Sequence, residues 1–109
     1  MKGKLTHNQL KKFVTEYLEL HHFIVVNVYA GGGVNSKGQY FRRKNVVGVS
    51  DLICQSLSGT FWAVEIKIGA DKLSTEQQNF LKNVGDRNGI GVVVRKPEDI
   101  ELYVQNYGK

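Results

Sequence analysis

Cysteine is nearly absent from this sequence: Cys54 is the only one among 109 residues. A lone thiol cannot close an internal disulfide, so the expected compartment is a reducing cytoplasm. One cysteine and three histidines without H-x3-H spacing leave no zinc framework. No apolar run approaches the roughly 18 residues of a membrane span, and no signal-peptide pattern opens the chain, so no membrane contact is expected. Gly31-Gly32-Gly33 lacks the Gly-Lys-Ser/Thr ending of a phosphate loop and opens no helix. It reads instead as a flexible turn where a strand bends or a substrate passes close to the backbone. Internal repeats and low-complexity tracts are also missing, and residues 1–109 read as one domain.

What remains is a compact, basic composition. Hydrophobic residues make up 41% of the chain, enough to bury a modest core, and the formal net charge is +5. That sign favours a polyanionic partner. Thr6 to about His22 reads as a helix, with Leu10, Phe13, Val14, Tyr17, Leu18 and His21 along one stripe and a Thr6–Gln9 capping box at its start. His21 is expected to be half-buried and His22 exposed at the helix end. Phe23 to Tyr29 is β-branched and reads as a buried strand. Asn35 to Val47 reads as a long polar loop or irregular ribbon. Val49 to Leu57 and Phe61 to Ile68 form a hairpin about Ser58-Gly59, with Cys54 a small core residue. Thr75 to about Asp86 is a second helix, striped by Gln77, Phe80, Leu81 and Val84. Ile90 to Arg95 is a short apolar strand. Pro97 opens a last helix to about Asn106, with Ile100, Tyr103, Val104 and Tyr107 facing inward. The expected fold is α/β, a mixed central sheet flanked by helices in the order α-β-β-β-α-β-α.

The hairpin carries the chemistry. Along Phe61 to Ile68 side chains alternate, so Trp62, Val64, Ile66 and Ile68 face a core while Phe61, Ala63, Glu65 and Lys67 share the other face. Folding about Ser58-Gly59 sets Asp51 opposite the Glu65–Lys67 stretch, with Cβ atoms of cross-strand neighbours roughly 5 Å apart. One hard cation could touch both carboxylates beside a phosphodiester. An ordinary polar sheet face with a Glu–Lys pair would have the same spacing. Just upstream, Lys37, Arg42, Arg43 and Lys44 crowd a loop interleaved with Tyr40 and Phe41. Basic groups contact phosphates and aromatics stack on unpaired bases, so this loop is a candidate nucleic-acid contact, the alternative being a solvated charged loop.

The ordered set Gly48-Val-Ser-Asp51, Glu65-Ile-Lys67, Leu73-Ser-Thr-Glu-Gln77 and Val92-Val-Val-Arg95 resembles the VRR-NUC branch of the PD-(D/E)XK nucleases, over about Phe23 to Arg95. The resemblance implies a restriction-endonuclease-like fold with Asp51, Glu65, Lys67 and Gln77 as catalytic residues. It implies Mg2+ or Mn2+ held by Asp51, Glu65 and the backbone carbonyl of Ile66. It looks like the stand-alone form of phages and prophages, which implies a homodimer, similar to Holliday-junction resolvases, acting on branched DNA in a phage or bacterial host's cytoplasm. The family's early helix glutamate has no counterpart in His7-Asn8-Gln9-Leu10. Three replacements are open: Gln9 in place of that carboxylate, Glu16 from about two turns further on, or water. Gln77 carries two readings: the capping partner of Ser74, or a group orienting Lys67 or a phosphate oxygen. Two other functions compete with the nuclease: a non-catalytic nucleic-acid-binding module, motivated by the missing glutamate, and a purely structural or protein-interaction domain.

Overall fold

The computed structural model describes residues 4–28, 33–34, 36–41 and 48–108, with the backbone alone at 33–34 and 40–41. The described elements run α1 (His7–Leu20), β1 (Ile24–Asn27), β2 (Gly33–Val34), β3 (Tyr40–Phe41), β4 (Leu52–Gln55), β5 (Phe61–Ile66), α2 (Thr75–Asp86), β6 (Ile90–Val94) and α3 (Pro97–Tyr107). The expected sequence of helices and main strands is borne out. Within the expected polar loop β3 forms, and it pairs antiparallel with β2, which begins at the last glycine of the expected turn.

Helix α1 begins where Thr6 and Gln9 exchange hydrogen bonds: Gln9 N–H donates to Thr6 Oγ1 at 3.1 Å, and Thr6 N–H donates to Gln9 Oε1 at 2.9 Å. The reciprocal cap satisfies two orphan donors of the first turn. Leu10, Val14 and Leu18, four residues apart, are all fully buried. Burying each contributes about 1.5–3 kcal/mol. The helix ends as His22 takes a left-handed φ of 70°. That turn sends Phe23 back into the core, where its ring meets Trp62 edge-on at 5.1 Å.

The main sheet has the order β1-β4-β5-β6. Strands β1, β4 and β5 pair antiparallel, and β6 lies parallel to β5. The mixed direction follows from connection length: Ser56–Thr60 suffices for a hairpin, whereas a parallel return needs a crossover, here α2. Helices α1 and α3 cover one face, where Leu10, Val14, Leu18, Ile100 and Val104 pack on Leu52, Cys54, Trp62, Val64 and Val92. Cys54 is a core residue, and burial pushes its thiol up to about 12. Helix α2 covers the other face over β5 and β6 alone. It comes close because Gly91 lacks a side chain: a Cβ there would meet Leu81 O at 2.7 Å.

Four sequence expectations are corrected, the first two by this uneven cover. Strand β1, read as buried, is an edge strand beyond the reach of α2, and Ile24 and Val26 are 63% and 52% exposed. Strand β5 is buried on both faces rather than alternating, because α2 seals Ala63 and Glu65 as well. Tyr107, in the last turn of α3, is 55% exposed because the core ends at Val104. His21 is exposed too, since it caps α1 and rests on the outer face of Tyr17, 4.4 Å between rings.

Candidate active site

Asp51 stands one residue before β4. The β4–β5 register pairs Leu52 with Val64, and continuing it by one residue sets Asp51 across from Glu65. Local bonds hold the acid in place. The Val28 N–H donates to Asp51 O at 2.9 Å, and the buried Ser50 hydroxyl donates to Leu52 O at 2.8 Å. The Ile66 N–H donates to Asp51 Oδ2 at 2.8 Å. This last bond crosses the hairpin and turns the carboxylate toward the end of β5. One residue further, the Lys67 N–H donates to Val94 O at 3.0 Å, so the lysine leaves the sheet from a fixed backbone.

Lys67 Nζ lies 3.8 Å from Glu65 Oε2, with 15% and 4% of the two side chains exposed. A carboxylate so far from water is costly to charge. Burial first, then the Asp51 charge and a hydrogen bond shared with Asp51, pushes the Glu65 carboxyl up to about 8, while the Lys67 charge pulls it down. One lysine therefore does not neutralise the pair. Two carboxylates held together at that cost have room for one more positive charge between them, a proton or a cation.

Helix α2 brings the third element to the same place. Its cap is reciprocal: Gln77 N–H donates to Ser74 Oγ at 3.1 Å and Ser74 N–H donates to Gln77 Oε1 at 2.9 Å. The other end of the same amide, Gln77 Nε2, donates to Glu65 Oε2 at 3.3 Å. The capping reading of Gln77 holds, and the nitrogen of the same amide meets Glu65, a partner that neither sequence reading named. Gly48 makes the approach possible. Its φ is +81°, and a Cβ would fall 2.6 Å from Glu76 Cβ and 2.7 Å from the Glu76 carbonyl carbon. The resulting hollow, about 440 Å³, is lined by Asp51, Glu65, Lys67, Lys72, Glu76 and Gln77 among others. A larger hollow of about 590 Å³, lined by Phe61, Phe80, Val84 and Arg87, lies at the other end of α2. It contains none of these charged groups, and chemistry rather than volume locates the site.

The remaining sequence candidates fall elsewhere. Gln9 spends its side-chain oxygen on the Thr6 cap. Glu16 is exposed and borders a separate hollow with Lys12, Glu19 and Asn27. Neither lines the hollow of Asp51 and Glu65, because two further turns of helix carry Glu16 away along α1. His7, at the start of the first helix, lies outside that lining too but touches one of its acids, with Nε2 3.5 Å from Asp51 Oδ2. Lys72 and Glu76 were also missed. Their positions depend on how closely α2 seats on Gly48, which no local spacing encodes. Lys37 is exposed in the turn between β2 and β3, and Arg42, Arg43 and Lys44 lie outside the described residues.

A divalent cation fits the donors present. Asp51 and Glu65 offer oxygens, and among the described residues no third His, Cys, Asp or Glu side chain already stands close enough to complete a three-residue metal site with them. Two carboxylates are the complement that Mg2+ accepts when waters and a substrate phosphate complete its shell. The Ile66 N–H is engaged by Asp51, and its carbonyl remains the ligand that the resemblance implies.

The model of the VRR-NUC domain family matches residues 33–96, more than half of the chain, and this span holds Asp51, Glu65, Lys67 and Gln77. A solved VRR-NUC domain shares the fold with a TM-score of 0.68, over 93% of this chain and 96% of that one, at 19% sequence identity. No curated protein matches the chain.

Proposed function

The chain belongs to the VRR-NUC family of nuclease domains, and from that premise we propose that it is a Mg2+- or Mn2+-dependent endodeoxyribonuclease acting on branched DNA as a homodimer, in the manner of a Holliday-junction resolvase. The observation that carries the reading is the half-buried Asp51 beside the buried Glu65, with Lys67 Nζ 3.8 Å from the second acid. Asp51 and Glu65, with the Ile66 carbonyl, would hold the metal. Bound there, the ion would polarise the phosphodiester and make a water acidic enough to attack it. Lys67 places a fixed positive charge where negative charge grows on the phosphoryl oxygens. Gln77 Nε2, 3.3 Å from Glu65 Oε2, donates to the same oxygen that faces Lys67 and helps to hold that carboxylate in place. Hydrolysis breaks one P–O bond and, as the family implies, leaves a 5′-phosphate.

The basic stretch Lys37, Arg42, Arg43 and Lys44 precedes Asp51 in sequence and supplies the phosphate contacts in this reading. A non-catalytic DNA-binding module is the competing function, and it needs no charged pair held at such cost. The deciding assay is nicking of four-way, flapped and linear DNA with Mg2+, Mn2+ or EDTA. Wild type is expected to cut branched DNA with metal alone, and Asp51→Ala and Lys67→Ala to lose at least about 10²-fold in rate. Variants that cut as well as wild type would sink the assignment.

A further inference from the structure

We propose that His7 is a ligand of the same metal, making the site a mixed nitrogen and oxygen site rather than an all-oxygen one. The inference rests on the nuclease reading but not on the family match, which begins at residue 33. Three observations carry it. First, Thr6 and Gln9 fix the backbone around the first helical residue through their reciprocal cap, so His7 leaves α1 from a defined place. Second, His7 Nε2 lies 3.5 Å from Asp51 Oδ2, while its side chain keeps 43% exposure. The imidazole therefore stands on the rim, open to an arriving ion and beside its first carboxylate. Third, the other polar candidates of α1 are spent or distant, Gln9 in the cap and Glu16 in another hollow.

The distance suits a shared ion. Two cis donors about 2.1 Å from an octahedral ion stand roughly 3 Å apart. A closure of about half an ångström, within reach of an exposed side chain at a helix start, would bring Nε2 and the carboxylate to that spacing. Neutral imidazole is a better ligand for Mn2+ and the later transition metals than for Mg2+, which prefers oxygen and water. His7 should therefore set metal preference as well as affinity.

The test is calorimetric titration of the full chain, without DNA, with Mn2+ alone and Mg2+ alone. Wild type, Asp51→Ala, His7→Ala and His7→Gln are compared, with circular dichroism in EDTA as the check on folding. Asp51→Ala should lose both metals, which tests the site itself. His7→Ala and His7→Gln should each lose Mn2+ affinity by at least about 10- to 100-fold, since removing even a group that only orients a ligand costs that much. Mg2+ affinity should fall by a clearly smaller factor. Glutamine keeps a polar side chain beside Asp51 but has no imidazole nitrogen. If it restores wild-type Mn2+ binding, His7 only positions Asp51 and the ligand assignment is overturned. Unchanged affinities in His7→Ala, or equal losses for both metals, overturn it too, while Asp51→Ala still reports separately on the site.

Discussion

Glu65 is the residue on which the site turns. It is 3% exposed, yet it sits between Asp51, Lys67 and Gln77. Its carboxyl is raised from 4.5 to about 8 in the folded chain. Between those values the folded protein holds a proton that the unfolded chain has released, so stability must fall as pH rises. The favourable contribution is complete below the unfolded value and is lost as pH climbs through about 8. Thermal unfolding in EDTA between pH 5 and 9 should show wild type losing stability relative to Glu65→Gln, whose amide does not titrate. Parallel curves would mean that the acid is not strained in the free protein. Adding Mn2+ should stabilise wild type more at pH 8 than at pH 5.5, since the cation must displace that proton.

At the level of elements, the contact between the loop before β4 and the start of α2 decides whether the parts of the site meet. Gly48 is the point of contact, and both its positive φ and its closeness to Glu76 exclude a side chain. Gly48→Ala should push the first turn of α2 outward and lengthen the Gln77–Glu65 contact of 3.3 Å. The expected cost is about 1–3 kcal/mol of stability from backbone strain. Nicking activity should fall by more than that cost alone explains at temperatures where the variant stays folded. Denaturant unfolding together with the nicking assay checks both, and a variant with wild-type stability and activity would show that α2 is seated by other contacts. Much of this level was legible in advance. Both capping boxes, Thr6 with Gln9 and Ser74 with Gln77, formed as their spacing indicated, because a cap is a local bond between residues three apart. The burial of β1 and the alternation along β5 were misjudged, because which strand a helix covers is not a local property.

For the whole molecule, charge and exposed surface set the expectations. A chain of net charge +5 that grips phosphates with several basic groups should lose DNA affinity steeply with salt, by about 10³-fold or more from 50 to 200 mM if six phosphates are held. The proposed homodimer should sediment as twice the 12.3 kDa chain at micromolar concentration. A monomer that still cuts a four-way junction at paired positions would remove the dimer from the mechanism. Among the described residues no helix is long and apolar enough to cross a membrane.

The sequence by itself determined the order of elements, the caps, the hairpin and the pairing of Asp51 with Glu65 to within about a residue of register. These depend on period, turn chemistry and neighbours along the chain. The ordered set from Gly48-Val-Ser-Asp51 through Glu65-Ile-Lys67 and Leu73-Ser-Thr-Glu-Gln77 to Val92-Val-Val-Arg95 also sufficed to place the chain among VRR-NUC domains. Only the tertiary structure decided that α2 seals one half of a sheet face, which buries Glu65 and raises its pKa. It also decided that the first helix reaches the acids with His7 rather than with Gln9 or Glu16. Residues 44 positions apart meet only when the sheet and its helices have packed, and no spacing along the chain records the angle at which they do.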